Sequence, residues 1–118
     1  MGAITHLIAG VPVSDLDASI DWYTRFFGRP ADMRAGDEIL WDIDEHTTLF
    51  IEPNPAQAGA GRITFAVAGL DALLEHLAAQ RIAHEPIETY SNGVRHVKIP
   101  DPDGNAIAFA EPPDAASA

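Results

Sequence analysis

The side chains that could take part in chemistry are five histidines and a few carboxylates. The histidines are His6, His46, His76, His84 and His96, and their spacings are not typical of a metal site. No nucleophile is seen beside a base, and no pair of carboxylates stands at catalytic spacing. His96 and Glu52 are the two residues that could act as a general base. The residue types leave catalysis open and favour no particular reaction.

The composition argues against several classes of function. The chain has 118 residues, with 18 Asp plus Glu against 7 Lys plus Arg and a net charge of −11. An acidic surface repels phosphate groups, so we expect neither nucleic acid nor an anionic membrane as a partner. The chain has no cysteine, which excludes disulfides and thiol nucleophiles and fits a cytoplasmic protein. No segment approaches the ~20 apolar residues of a membrane span.

Hydrophobic patterns predict the elements that must position these side chains. Residues 4–11 are mostly apolar and β-branched and predict a first strand. Ser14 is the expected N-cap of a helix that Gly28 ends. We expect Trp22 and Phe26 to pack in the core, with a partner-facing surface as the alternative. The apolar stripe of this helix is Leu16, Ile20, Tyr23 and Phe27.

The same order of elements then occurs a second time. Residues 31–52 predict two or three strands, a linker follows, and residues 62–67 alternate as another strand. A second amphipathic helix carries Leu70, Leu73, Leu74 and Leu77. Residues 15–18 (D-L-D-A) align with residues 69–72 (G-L-D-A) at an offset of 54. The pattern predicts an α+β fold in which two modules place their free sheet faces around a cleft.

The last two strands are joined by the turn at residues 101–105, D-P-D-G-N. Pro102 and Gly104 suit the dihedral angles of a tight turn, and Asp101 can accept hydrogen bonds from backbone N–H groups two residues on. Alternation then turns Ile107 and Phe109 toward the helix. The alanines at 106, 108 and 110 face the cleft.

The same alternation predicts the lining of the cleft. The candidate ligand-binding residues are Ile8, Trp41, Thr48, Phe50, Glu52, Arg62, Thr64, His96, Lys98 and Ala108. Trp41 and Phe50 could stack on a flat ligand. The alternative for each residue is that it fills the cleft or packs at a dimer interface. Apolar walls with a few polar groups are typical of a small-molecule site.

Three motifs in this order resemble the vicinal oxygen chelate superfamily, which includes glyoxalase I, bleomycin-resistance proteins and dioxygenases. They are V-S-D-L-D-A-S-I-D-W-Y (13–23), V-A-G-L-D-A-L-L-E-H-L (67–77) and D-P-D-G-N-A-I-A-F (101–109). The resemblance implies two βαβββ modules with curved mixed sheets around a cleft, and often a homodimer. We expect one domain, 1–118, with module 1 at 1–53, a linker at 54–61, module 2 at 62–112 and a frayed tail at 113–118.

Metal-dependent relatives implied by this resemblance hold a divalent ion with His and Glu at four fixed positions. Here those positions hold Ile8, Arg62, Ala108 and either Leu49 or Phe50. The register of the fourth strand is uncertain and Glu52 lies near its end, so at least three of the four positions hold side chains that cannot bind a metal at neutral pH. An unusual site built from His6, Glu52 and a relocated His46 or His96 stays open. We therefore expect no metal and no other cofactor.

The hypothesis that these observations favour is a metal-independent, homodimeric protein of the bleomycin-resistance type. It would sequester or carry a small aromatic or amphipathic molecule, such as an antibiotic. The alternative is an enzyme: a glyoxalase-like lyase or isomerase with an atypical metal, a relative of the dioxygenases, or a metal-free isomerase or cyclase using His96 or Glu52 as base. A third interpretation is an interaction module without a ligand, whose cleft would be filled by side chains.

Overall fold

The computed structural model describes residues 2–115, and these form two four-stranded mixed sheets with one helix each. In chain order the elements are β1 (Leu7–Val13), α1 (Leu16–Phe27), β2 (Met33–Ala35), β3 (Glu38–Asp44), β4 (Thr47–Pro53), β5 (Arg62–Ala66), α2 (Leu70–Ala79), β6 (Glu88–Thr89), β7 (Arg95–Pro100) and β8 (Ala106–Glu111). A 3₁₀ turn, Pro113–Ala115, follows. The rest of the predicted frayed tail, 116–118, lies outside the described residues. The predicted α+β class is confirmed.

The two sheets have the same topology. Their strand orders are β1-β4-β3-β2 and β5-β8-β7-β6, and each contains one parallel pair, β1 with β4 and β5 with β8. The helices begin at Leu16 and Leu70, so the repeat seen in the sequence marks equivalent helix starts. Among residues 2–115, neither helix is long and apolar enough to cross a membrane.

The first strand lies further along the chain than the sequence predicted. It pairs in parallel with β4, from Leu7 opposite Thr47 to Val13 opposite Pro53. The start of β4 therefore sets the start of β1, whatever the β-propensity of the residues before it. Pro12 has no N–H to donate to a neighbouring strand. It is tolerated because β1 is an edge strand, which is hydrogen-bonded to a strand on one side only.

The start of α1 also differs from the prediction. The N-cap is Asp15, whose carboxylate accepts a hydrogen bond from the N–H of Ala18. Ser14 is instead held by Asp103, which accepts hydrogen bonds from both its N–H and its hydroxyl. The other end follows the prediction, because Gly28 caps the helix in the left-handed conformation (φ 71°).

A single hydrophobic core joins the two modules. On α1, Tyr23 is fully buried, and Trp22 and Phe26 are 8% and 5% exposed, so both aromatics belong to the core as expected. The ring of Phe26 lies 5.5 Å from that of Phe109 and 6.2 Å from that of Phe65, measured between centroids. Because these partners lie on β8 and β5, the first helix packs against the second sheet.

The D-P-D-G-N turn fastens the modules together by hydrogen bonds. Asn105 is fully buried; its amide oxygen accepts from the N–H groups of Gly59 and Gly61, and its amide nitrogen donates to the carbonyl of Pro12. Asp101 accepts from the Tyr23 hydroxyl at 2.8 Å. Burial is the main cause that raises the pKa of Tyr23, and the negative charge of Asp101 is the next. The phenol therefore stays protonated and donates to Asp101. The turn therefore ties β1, α1 and the linker to the last strand.

A carboxylate from β8 substitutes for a side-chain cap at the start of α2. The N-cap, Gly69, offers no side chain, and Glu111 accepts from the N–H of Leu70 at 2.7 Å. Arg95 donates to the other oxygen of Glu111 and to Asp71. The pKa of Glu111 is lowered most by the hydrogen bond from the Leu70 N–H and next by the hydrogen bond from Arg95. A buried negative charge at this position also complements the helix dipole.

Candidate functional site

A cavity of about 290 Å³ lies on the face of the second sheet opposite the core. Its lining comes from β5, β6, β7 and β8 and from the segment after β6: Arg62, Thr64, Glu88, Tyr90, His96, Lys98, Ala106 and Ala108. This volume is just below the range of about 300–1,000 Å³ that is usual for small-molecule sites. We call it the second-sheet cavity.

The strand register explains why there is space at this position. β8 runs between β5 and β7, and Ala108 lies directly between Thr64 on β5 and Lys98 on β7. Neighbouring strands are about 4.8 Å apart, so the two flanking backbones are roughly 10 Å apart. Methyl groups at Ala106 and Ala108 leave the space between them open. The alanines therefore form the floor, and polar side chains from β5 and β7 form the walls.

The two basic side chains in the cavity are not paired with acids. Among residues 2–115, neither Arg62 nor Lys98 makes an ion pair or a side-chain hydrogen bond. Glu52, at the other end of the linker, forms no ion pair with Arg62 within this described range. Both cations are therefore available to a ligand.

Glu88 and Tyr90 line the cavity but were missed from the sequence. Glu88 lies on the two-residue strand β6, opposite His96. The Tyr90 ring stacks on the His96 ring, with centroids 5.6 Å apart and planes at 22°. A strand of two residues has no alternation from which a face can be predicted. Within the described range neither ring nitrogen of His96 has a hydrogen-bond partner, so the imidazole is free to act on a ligand.

The first-sheet candidates lie outside this cavity. Ile8, Thr48, Phe50 and Glu52 are on the first sheet, and none of them contributes to the lining. The Phe50 ring covers Gly10 so closely that a Cβ atom there would overlap it. Phe50 thus packs on its own sheet, which is the cleft-filling alternative considered above.

Thr48 is part of a hydrogen-bonded chain. Its hydroxyl donates to Asp42 at 2.9 Å and therefore accepts from Nε2 of His6, also at 2.9 Å. Thr48 is only 4% exposed. Its single hydroxyl proton is already committed, so Thr48 is a structural link rather than a free donor for a ligand.

The expected cleft position of Trp41 is wrong. Its side chain is fully buried, with its ring 5.6 Å from that of Phe27 and its indole N–H donating to the carbonyl of Arg29. Trp41 pairs with the core residue Leu49, whereas its neighbour Leu40 pairs with Phe50. Leu40 and Phe50 therefore share the open face, and Trp41 cannot stack on a ligand there.

The metal-site hypotheses were tested against the arrangement of donor side chains. Within residues 2–115, no group of three or more His, Asp or Glu side chains is placed to hold a metal ion. Ile8 and Ala108 lie on the open faces of β1 and β8 and carry no donor atoms. His6 and His46 make an edge-to-face ring contact, but Glu52 and His96 do not join them. The residues present do not fit the metal site that the resemblance implies.

Comparison with known proteins identifies the family. The family model of the glyoxalase/bleomycin resistance protein/dioxygenase superfamily matches residues 3–109. The chain therefore belongs to this superfamily. A search of curated proteins found no match.

Three solved structures resemble this chain in fold over most of its length, at different levels of sequence identity. A glyoxalase/bleomycin resistance protein from Catenulispora acidiphila is 37% identical, with a TM-score of 0.84 over 90% of this chain and 96% of that one. TnmS3, an antibiotic-binding protein from a Streptomyces species, is 26% identical, with a TM-score of 0.76 over 93% and 98%. A lactoylglutathione lyase from Agrobacterium tumefaciens is 20% identical, with a TM-score of 0.74 over 89% and 91%, and shares the fold alone.

Proposed function

We propose that this protein binds a small molecule in the second-sheet cavity without a metal ion and so sequesters or carries an antibiotic or another aromatic natural product. The observation that carries the proposal is the cavity itself: an alanine floor between walls whose polar side chains have no side-chain hydrogen-bond partner among residues 2–115. We further propose that residues 1–118 act as one domain with the module boundaries given above.

Two findings support binding rather than metal-dependent catalysis. The positions that would supply metal ligands hold Ile8, Arg62, Ala108 and either Leu49 or Phe50, and within residues 2–115 no group of three or more His, Asp or Glu side chains could hold a metal ion. One similar protein, TnmS3, is described as binding an antibiotic. A cavity that keeps cations, a hydroxyl and an aromatic stack available can hold a ligand without acting on it.

A specific observation favours a second candidate function. His96 lines the cavity, its ring is held by Tyr90, and its nitrogens have no partner among the described residues. An imidazole so placed could remove a proton from a bound molecule, as in a metal-free isomerase. Glu52, the other candidate base, lies outside the cavity and is not carried into this proposal.

We propose a homodimer as the assembled form. Near and on the edge strand β1, Ile4, Leu7 and Ile8 are 70%, 65% and 58% exposed. Exposed apolar side chains beside an unpaired strand edge favour contact with a second chain. Sedimentation equilibrium at micromolar concentration should give twice the mass of the chain; the monomer mass would contradict the dimer.

The binding proposal is tested by a thermal-shift screen of natural products in buffer with EDTA, using wild type and Ala108→Phe. Ala108 is on the cavity floor, so a phenyl group there should occupy the ligand's place. We expect compounds that raise the wild-type melting temperature by several degrees and do not shift the variant.

The matched control is Ala66→Phe, on the exposed part of β5 outside the cavity lining. It should respond to the same compounds as wild type does. If no compound shifts wild type, or if Ala108→Phe responds equally well, the proposal is wrong.

A further inference from the structure

We infer that the ligand of the second-sheet cavity is a flat small molecule with a negative charge, such as an aromatic carboxylate. This rests on the proposed binding function and specifies the class of ligand.

The distribution of basic residues carries the inference. Four of the seven Lys and Arg side chains are engaged elsewhere: Arg25, Arg29 and Arg95 pair with acids, and Arg34 donates to the carbonyl of Gly36. Within residues 2–115, the three that have no partner are Arg62, Lys98 and Arg81, and two of these line one cavity. In a chain with 18 Asp plus Glu, keeping both of these cations free of carboxylates leaves a local positive site in an acidic protein.

The two cations approach the cavity from opposite walls. Arg62 lies on β5 opposite Ala106, and Lys98 lies on β7 opposite Ala108, so the alanine floor separates them. A carboxylate above the floor can accept from the guanidinium and attract the ammonium at the same time. The Thr64 hydroxyl adds a neutral donor beside them.

One carboxylate and one pair of stacked rings also line the cavity, and they further define the class of ligand that would fit. Glu88 is the carboxylate among the lining residues, so the formal charge of the lining stays positive with His96 neutral. The stacked rings of Tyr90 and His96 offer a flat surface on the β7 side. An aromatic ring packs well against such a surface, which favours a flat anion over a compact one.

The test measures binding of three naphthalene probes by isothermal titration calorimetry: 2-naphthoate, its neutral amide and the cationic 2-naphthylmethylammonium. We expect 2-naphthoate to bind best. Arg62→Gln and Lys98→Gln should each weaken naphthoate binding by about fivefold, the size expected for a partly exposed charge pair, and should barely change the amide.

Two further variants separate charge from damage to the fold. Glu88→Gln should tighten naphthoate binding about twofold to fivefold, because it removes the opposing charge from the lining. Arg81→Gln removes one positive charge outside the cavity and should leave all three probes unchanged. Opposite effects of Glu88→Gln and Lys98→Gln cannot come from a general loss of folding.

Equal binding of naphthoate and its amide, or a preference for the ammonium probe, would overturn the inference while the binding proposal stands. Failure of all three probes would also overturn it, whereas the binding proposal fails only if the natural-product screen finds no ligand.

Discussion

At the scale of single residues, Ala108 and Glu111 on one strand show two different uses of a side chain. Ala108 leaves space between two polar walls and so makes the cavity. Glu111, three residues later, is 1% exposed and receives donors from Leu70 and Arg95. We propose that Ala108 serves ligand binding, whereas Glu111 contributes to stability.

The lowered pKa of Glu111 predicts a pH-dependent contribution to stability. A carboxyl whose folded pKa is below its unfolded value stabilises the fold fully above the unfolded pKa, which is ~4.3, and loses this effect as the pH falls through the folded pKa. Glu111→Gln should therefore be less stable than wild type at pH 7. The difference should shrink as the pH falls below about 4.

Urea unfolding followed by circular dichroism between pH 7 and pH 2.5 would measure this difference. The control is Glu75→Gln on the exposed surface of α2, where the difference from wild type should be small at every pH. A Glu111→Gln difference that stays constant with pH would show that the ionised carboxylate is not the stabilising group.

At the scale of elements, the D-P-D-G-N turn does more than reverse the chain. Asn105 connects the linker and β1 to the turn by hydrogen bonds, and Asp101 accepts a hydrogen bond from the hydroxyl of Tyr23 on α1. The motif that marks the family therefore holds the module boundary together. Its role is structural, since neither side chain lines the cavity.

Asn105→Ala should destabilise the fold by about 2–6 kcal/mol, because four hydrogen bonds of a buried amide are lost at ~0.5–1.5 kcal/mol each. Asn92→Ala is the matched control; it removes one hydrogen bond, to the N–H of Val94, from an exposed loop, and should cost under about 1 kcal/mol. Chemical denaturation measures both. Equal costs for the two variants would contradict the proposed role of the turn.

Regular strands could be assigned from the sequence, whereas short or uniformly apolar ones could not. Arg62 and Lys98 lie on strands with clean alternation, so parity placed them on the open face correctly. Trp41 lies in I-L-W-D-I, where both parities carry apolar residues, and pairing with β4 alone decides its face. The start of β1 likewise depends on its partner strand. Glu88 and Tyr90 come from a segment with too little strand to show a pattern.

At the scale of the whole molecule, one core and one turn hold two similar modules together, and the second-sheet cavity is lined by residues of the second module. Its sheet has alanines at the centre of the open face, whereas the first sheet has Phe50 lying over Gly10. The open faces of two sheets with the same topology therefore differ in shape. We propose that the ligand binds on the second sheet and that no metal ion is needed there.

The most direct test of this account is nuclear magnetic resonance mapping of amide shifts in the ¹⁵N-labelled protein with EDTA present, titrated with the strongest compound from the thermal-shift screen. We expect the largest shifts at Arg62, Thr64, Lys98 and Ala108. Shifts confined to the first sheet around Ile8 and Phe50, or binding that appears only when a divalent metal is restored, would contradict it.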